Sequence, residues 1–115
     1  MMESGKFIKN IAFAEPQVLL DLVDYQEGRV VSRTLAQTNS MSLTLFAFDA
    51  GEGLSTHSAA GDAFAQVMDG EAQITIDSKE NSVKAGEVIV MPANVPHSVH
   101  AIKRFKMLLV VVKGA

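Results

Sequence analysis

Apolar and polar residues alternate most clearly in the second half of the chain. Ala63, Ala65 and Val67 fall on one face of an extended segment and Phe64, Gln66 and Met68 on the other. Ala72, Ile74 and Ile76 alternate in the same way with Gln73, Thr75 and Asp77. Asp69-Gly70 lies between the two runs. That pair suits a type I′ turn, whose central residues both take φ above zero, so the pattern predicts a hairpin over residues 63–77. In residues 41–49, Leu43, Leu45 and Ala47 oppose Phe46 and Phe48. This predicts a strand covered on both faces, inside a sandwich or a dimer.

The remaining segments read similarly. Residues 29–38 and 105–112 are strands, the latter apolar on both faces, and shorter strands are expected at 82–84, 87–91 and 97–102. Helical spacing occurs only at Phe7, Ile8, Ile11 and Ala12, in a stretch that ends at Glu15-Pro16. A helical turn and an arm packed on a partner subunit fit this stretch equally well. Residues 18–23 are apolar apart from Asp21, and Tyr25 to Gly28 supply a turn. Many short strands with closely spaced turns imply an all-β double-sheet sandwich or barrel. The expected organisation is one domain over residues 1–115, with an N-terminal arm at 1–17 and a barrel at about 18–113.

Composition narrows the function classes. A chain of 115 residues with 48% hydrophobic and 20% charged residues is core-rich. No apolar run approaches the ~20 residues of a membrane helix, and no secretory signal pattern opens the chain, so a cytoplasmic location is the default. A net charge of −3 with ten basic residues gives no basic stripe for nucleic acid. The absence of cysteine removes disulfides, thiolate metal sites and thiol nucleophiles. Chemistry falls to three histidines, the carboxylates and a few hydroxyls and amides.

Two stretches organise these residues. GEGLSTHSAAGDAFAQVMDG, residues 51–70, carries Gly51, His57 and Gly70, and GEVIVMPANVPH, residues 86–97, carries Gly86, Pro92 and His97. The pair resembles the two signature motifs of the cupin superfamily. In that family the first motif runs Gly, five residues, His-x-His, three or four residues, Glu, six residues, Gly. The second runs Gly, five residues, Pro-x-Gly, two residues, His, three residues, Asn. Here Ala59 replaces the second His, Ala63 the Glu, Asn94 the second Gly and Ala101 the Asn. The resemblance implies a cupin jelly roll over about residues 41–112.

Cupins that carry a metal hold Fe, Mn, Ni, Zn or a similar ion on three histidines and a carboxylate or amide. Carried over by position, His57 and His97 remain as metal ligands here. Asp62, one residue before the Glu position, is a candidate third partner if Gly61 lets it swing inward, and otherwise a turn residue. His100 is expected on the opposite face from His97. Ala59, Ala63 and Ala65 either leave room for a ligand or are filled from across by Met91 or a phenylalanine. Asn94 tolerates the positive φ of the glycine it replaces.

Two functions follow from the resemblance. One is a pocket for a small polar ligand (a sugar, an organic acid or an aromatic acid) at His57, Asp62 and His97, with or without a divalent metal. The histidines would then be ligands or an acid–base pair, since imidazole changes charge near neutral pH. The other is a metal-free, non-catalytic barrel acting as a ligand sensor or assembly module. Under either, the resemblance and the apolar strand at 41–49 imply a homodimer.

Overall fold

The computed structural model describes residues 7–114, so positions 1–6 of the expected N-terminal arm lie outside it. The described residues form eight strands and one short helical turn: β1 (Val30–Gln37), β2 (Met41–Phe48), β3 (Gly53–His57), β4 (Asp62–Ile76), β5 (Lys79–Lys84), β6 (Val88–Met91), β7 (His97–His100) and β8 (Phe105–Val112), preceded by a 3₁₀ turn at Leu19–Leu22. All strand pairings are antiparallel. The all-β expectation holds, and the sheets curl around a common core as a cupin-type barrel.

β4 is the strand on which the two sheets meet. Its first half lies between β8 and β6, and its second half between β5 and β7. The expected hairpin at Asp69-Gly70 is therefore corrected, because the chain runs straight through these residues as one fifteen-residue strand. A type I′ turn needs φ above zero at both central positions, yet only Gly70 (φ 76°) meets this and Asp69 does not. What forms instead is a bulge between Val67 and Asp69, where β4 slips against β8 and turns the corner. The two-residue hairpin comes later, at Asp77 (φ 48°) and Ser78 (φ 71°), and β5 starts at Lys79, three residues before the expected strand.

The core lies between the sheets. Phe48, Ala63, Ala65, Val67, Ile74 and Met91 share it with Val99, Phe105 and Met107. Phe48 and Phe105, both fully buried, stack with ring centroids 4.5 Å apart. Such a pair adds about 1 kcal/mol beyond burial of its area.

A second cluster covers the outer face of β2. Leu45 and Ala47 meet Val23, Leu35, Leu22, Ile11 and Tyr25 there. β2 is thus covered on both faces within the chain, as its two apolar faces predict. The segment from Phe7 to Glu15 is not helical. It runs along β1, with the Lys9 amide donating to the Leu35 carbonyl (2.8 Å) and the Asn10 side chain donating to the Thr34 carbonyl (2.8 Å).

Tyr25 fastens this N-terminal covering to the β4 corner. Its hydroxyl donates to Asp69 Oδ2 (2.5 Å), and its ring lies under the Arg104 guanidinium (4.5 Å) and near Lys106 Nζ (5.1 Å). Arg104 also pairs with Asp49 (3.3 Å). Burial, and then the bond to the Asp69 carboxylate, raise the Tyr25 pKa well above the ordinary 10.0.

A sign follows for alkaline stability. Above 10.0 the unfolded chain releases the tyrosine proton while the folded chain keeps it, so the unfolded state binds fewer protons and stability falls as pH rises toward the folded-state value. Tyr25 is the one tyrosine and there is no tryptophan, so near-ultraviolet phenolate absorbance reports it alone. The native titration is expected well above that of the denatured protein, and the Tyr25→Phe variant should lose part of the alkaline destabilisation. Coincident native and denatured titrations would mean that the Asp69 bond is not formed in solution.

Candidate functional site

His57 and His97 are brought together by register. β3 is an edge strand paired only with β7, in which Leu54 lies opposite Val99 and His57 opposite His97. Two β3 residues, Ser55 and Thr56, therefore face the single β7 residue Ser98, which makes a bulge. Without that extra residue, alternation from the inward Leu54 would turn His57 outward. With it, His57 joins Leu54, Val99 and His97 on the interior face. Gly53 allows the strands to approach, since a Cβ there would stand 2.3 Å from the Val99 carbonyl oxygen.

The two rings meet edge to face, with centroids 4.5 Å apart at 70°. His97 is buried (5% exposed), while His57, at the end of the edge strand, is exposed. Each Nδ1 lies against the backbone carbonyl two residues earlier, Ser55 at 2.8 Å for His57 and Val95 at 3.1 Å for His97. A carbonyl oxygen can only accept, so each Nδ1 carries a proton, and in the neutral ring each Nε2 is left with a lone pair. This matches the way a metal-bound imidazole is held, by a bond from its second nitrogen.

The other expected residues are placed differently. Asp62 starts β4, and its Oδ1 accepts from the Ala93 amide (2.8 Å), so this oxygen braces the loop before β7. Asn94 in that loop has φ 63°, as expected for a residue in the place of glycine, and its amide donates to the Ala59 carbonyl (2.7 Å). His100 is exposed on the opposite face from His97.

Ala63 and Ala65 are packed into the core, whereas Ala59, before β4, is part-exposed and outside it. Ala63 lies opposite Met91, and both belong with Ala65 to the cluster that holds Phe48 and Phe105. Among the described residues no group of three or more His, Cys, Asp or Glu side chains could hold a metal ion. The bulge that aims His57 and the carbonyl contacts that fix both tautomers carry no signal in the sequence.

Comparison with known proteins agrees with this architecture. The profile of the Cupin domain family matches residues 44–113. A conserved protein of unknown function from Streptococcus pyogenes superposes with a TM-score of 0.95 at 39% identity, over 98% of this chain and 99% of that one. A cupin superfamily protein from Desulfitobacterium hafniense gives 0.88 at 32% identity, over 93% and 98%. An uncharacterised protein of Streptomyces coelicolor is 38% identical over 72 residues, which are 63% of this chain and 69% of its own. Among the described residues no helix is long and apolar enough to cross a membrane.

Proposed function

The chain belongs to the cupin family, a fold able to bind small molecules and metals, and from that premise we propose that it binds a small polar molecule at the His57–His97 pair. The observation that carries this reading is the arrangement of the two imidazoles. Both Nδ1–H groups are tied to carbonyls, so in the neutral rings both Nε2 atoms are left as acceptors on one face. A hydroxyl-bearing sugar, organic acid or aromatic acid can donate to them. His97 supplies a buried contact and His57 one that is open to solvent. If the ligand is turned over, the Nε2 atoms are where a proton would be taken or returned.

A resident metal is less well supported. Fe, Mn, Ni or Zn could engage both Nε2 atoms, but a usable site needs about three protein ligands and this pair supplies two. Asp62 would have to leave the Ala93 amide to become the third. The second reading, a non-catalytic sensor or assembly module, is favoured by alanine at the three family positions 59, 63 and 101.

Pairing of two copies is part of the same proposal. Phe64, Val88, Val90 and Val112 lie together on the outer face of the sheet formed by β6, the first half of β4 and β8, and are 40–56% exposed, an apolar surface that suits a second copy. Light scattering at micromolar concentration should give the dimer mass, and a monomer would refute the pairing.

The test of the main reading is a thermal-shift screen of sugars, organic acids and aromatic acids on tag-free protein, with metal content measured in the same preparation. A saturable rise in Tm without stoichiometric metal is the expected result. Stoichiometric metal would transfer the site to the metal reading, and no shift with any of the three classes would overturn the ligand reading.

A further inference from the structure

The outer face of the sheet that carries His97 holds a second constellation. Thr75 and Ser98 lie opposite each other across β4 and β7, on the face away from the core residues Ile74 and Val99. The β3 bulge that turns His57 inward also sends Thr56 into the same space as Ser98. One end of this row is closed by the β4–β5 turn, which adds Asp77 and Ser78. That turn is held in place by the Asp77 amide, which donates to the Pro96 carbonyl (2.9 Å). Together these residues and His97 line an open cavity of about 170 Å³.

None of the four hydroxyls, nor the Asp77 carboxylate, has a side-chain hydrogen bond among the described residues. The contrast with the larger cavity further along this face, about 250 Å³, decides between the two. There the carboxylates are already engaged, Glu71 by Ser82 (2.5 Å) and Glu80 by Gln73 (3.0 Å).

The chemistry of the smaller cavity selects a ligand class. A hydroxyl both donates and accepts, whereas a carboxylate only accepts. Four hydroxyls around one carboxylate match a molecule whose own groups do both. No lysine or arginine lines the cavity and Asp77 repels anions, while a single carboxylate falls short of a cation site. We propose that this cavity binds a small neutral polyhydroxylated molecule, a polyol or a single sugar ring. The site adjoins the proposed site at the histidine pair through His97, but its hydroxyls come from the other face of the sheet and His57 does not line it. For a ligand of roughly a dozen heavy atoms in an open site, the affinity should be about millimolar.

Titration of isotope-labelled protein with glucose and with ribitol, followed by amide chemical shifts, tests the assignment. Saturable shifts are expected at Thr56, Thr75, Asp77, Ser78 and Ser98. Thr75→Val and Ser98→Ala should each weaken binding about fivefold or more, with fold retention checked by the spectrum itself. His57→Ala should leave this binding unchanged, which separates the site from the histidine pair. Three outcomes would overturn the proposal: no saturation by either probe, shifts confined to His57 and its inward neighbours, or preferential binding of ethanolamine that Asp77→Asn abolishes.

Discussion

Replacing His57 and His97 together with alanine should weaken binding of the small polar ligand by about a hundredfold while the barrel still folds. Each Nε2 is an acceptor that a bound hydroxyl would have to replace with water or leave unmatched, a loss of about 1–3 kcal/mol per group. Two such losses, taken toward the lower end of that range, amount to roughly two decades in Kd. The single variants separate the two roles. His57 is exposed, so His57→Ala should move stability by less than about 0.5 kcal/mol, and its effect on binding is then free of folding. His97 is buried between Val95 and the His57 ring, so His97→Gln, which keeps a polar group of similar reach, is the better partner for a calorimetric comparison. Equal ligand affinity in the double variant and the parent, measured on a hit from the thermal-shift screen, would remove the histidines from the site.

Gly70→Ala should destabilise the fold by about 3 kcal/mol or more, because among the described glycines Gly70 alone combines a positive φ with close backbone neighbours. Gly70 has φ 76°, which costs an L-residue with a Cβ about 1–2 kcal/mol. The added carbon would also stand 2.1 Å from the Arg104 carbonyl oxygen and 3.0 Å from the Phe105 Cα, both backbone atoms that cannot rotate aside. Overpacking of that kind adds about 1–3 kcal/mol. Because β4 serves both sheets, a shift at its corner moves β8 on one side and the strands around the histidine pair on the other. Chemical denaturation should show a lower midpoint. Gly51→Ala provides the comparison, since its φ of 88° carries the same backbone cost with no atom within 4 Å. Equal losses at the two glycines would show that the close approach at Gly70 is relieved in solution.

The sequence and the structure part company at particular residues, each for a local reason. A near-continuous apolar run marked β8 at its observed bounds, and apolar residues in both registers marked the two faces of β2. Asp69-Gly70 carried the strongest turn signal in the chain, and Gly70 does take the positive φ the signal implies. Whether one such residue closes a hairpin or bends a strand depends on what pairs with it, and here β8 continues alongside. Asp77-Ser78 closes the hairpin although neither residue is glycine, so its signal was weak.

The histidine pair was legible from motif spacing. The orientation of His57 was not, since two residues facing one across a strand pair is a property of the partner strand as much as of its own. Asp62 illustrates the same limit. Its carboxylate was expected either in the pocket or in a turn, and it accepts the amide of Ala93, thirty-one positions away in the chain.

The position of β3 has a kinetic consequence. It has five residues, a neighbour on one side only, and no fully buried side chain. Strands of this kind open locally at a free energy far below that of global unfolding. The amide of His57 should therefore exchange with solvent orders of magnitude faster than those of β4. Each opening carries one imidazole away from the other, so the two-acceptor geometry exists for only part of the time. A ligand that needs both acceptors meets an affinity reduced by that fraction, and its arrival protects the amides of β3 from exchange.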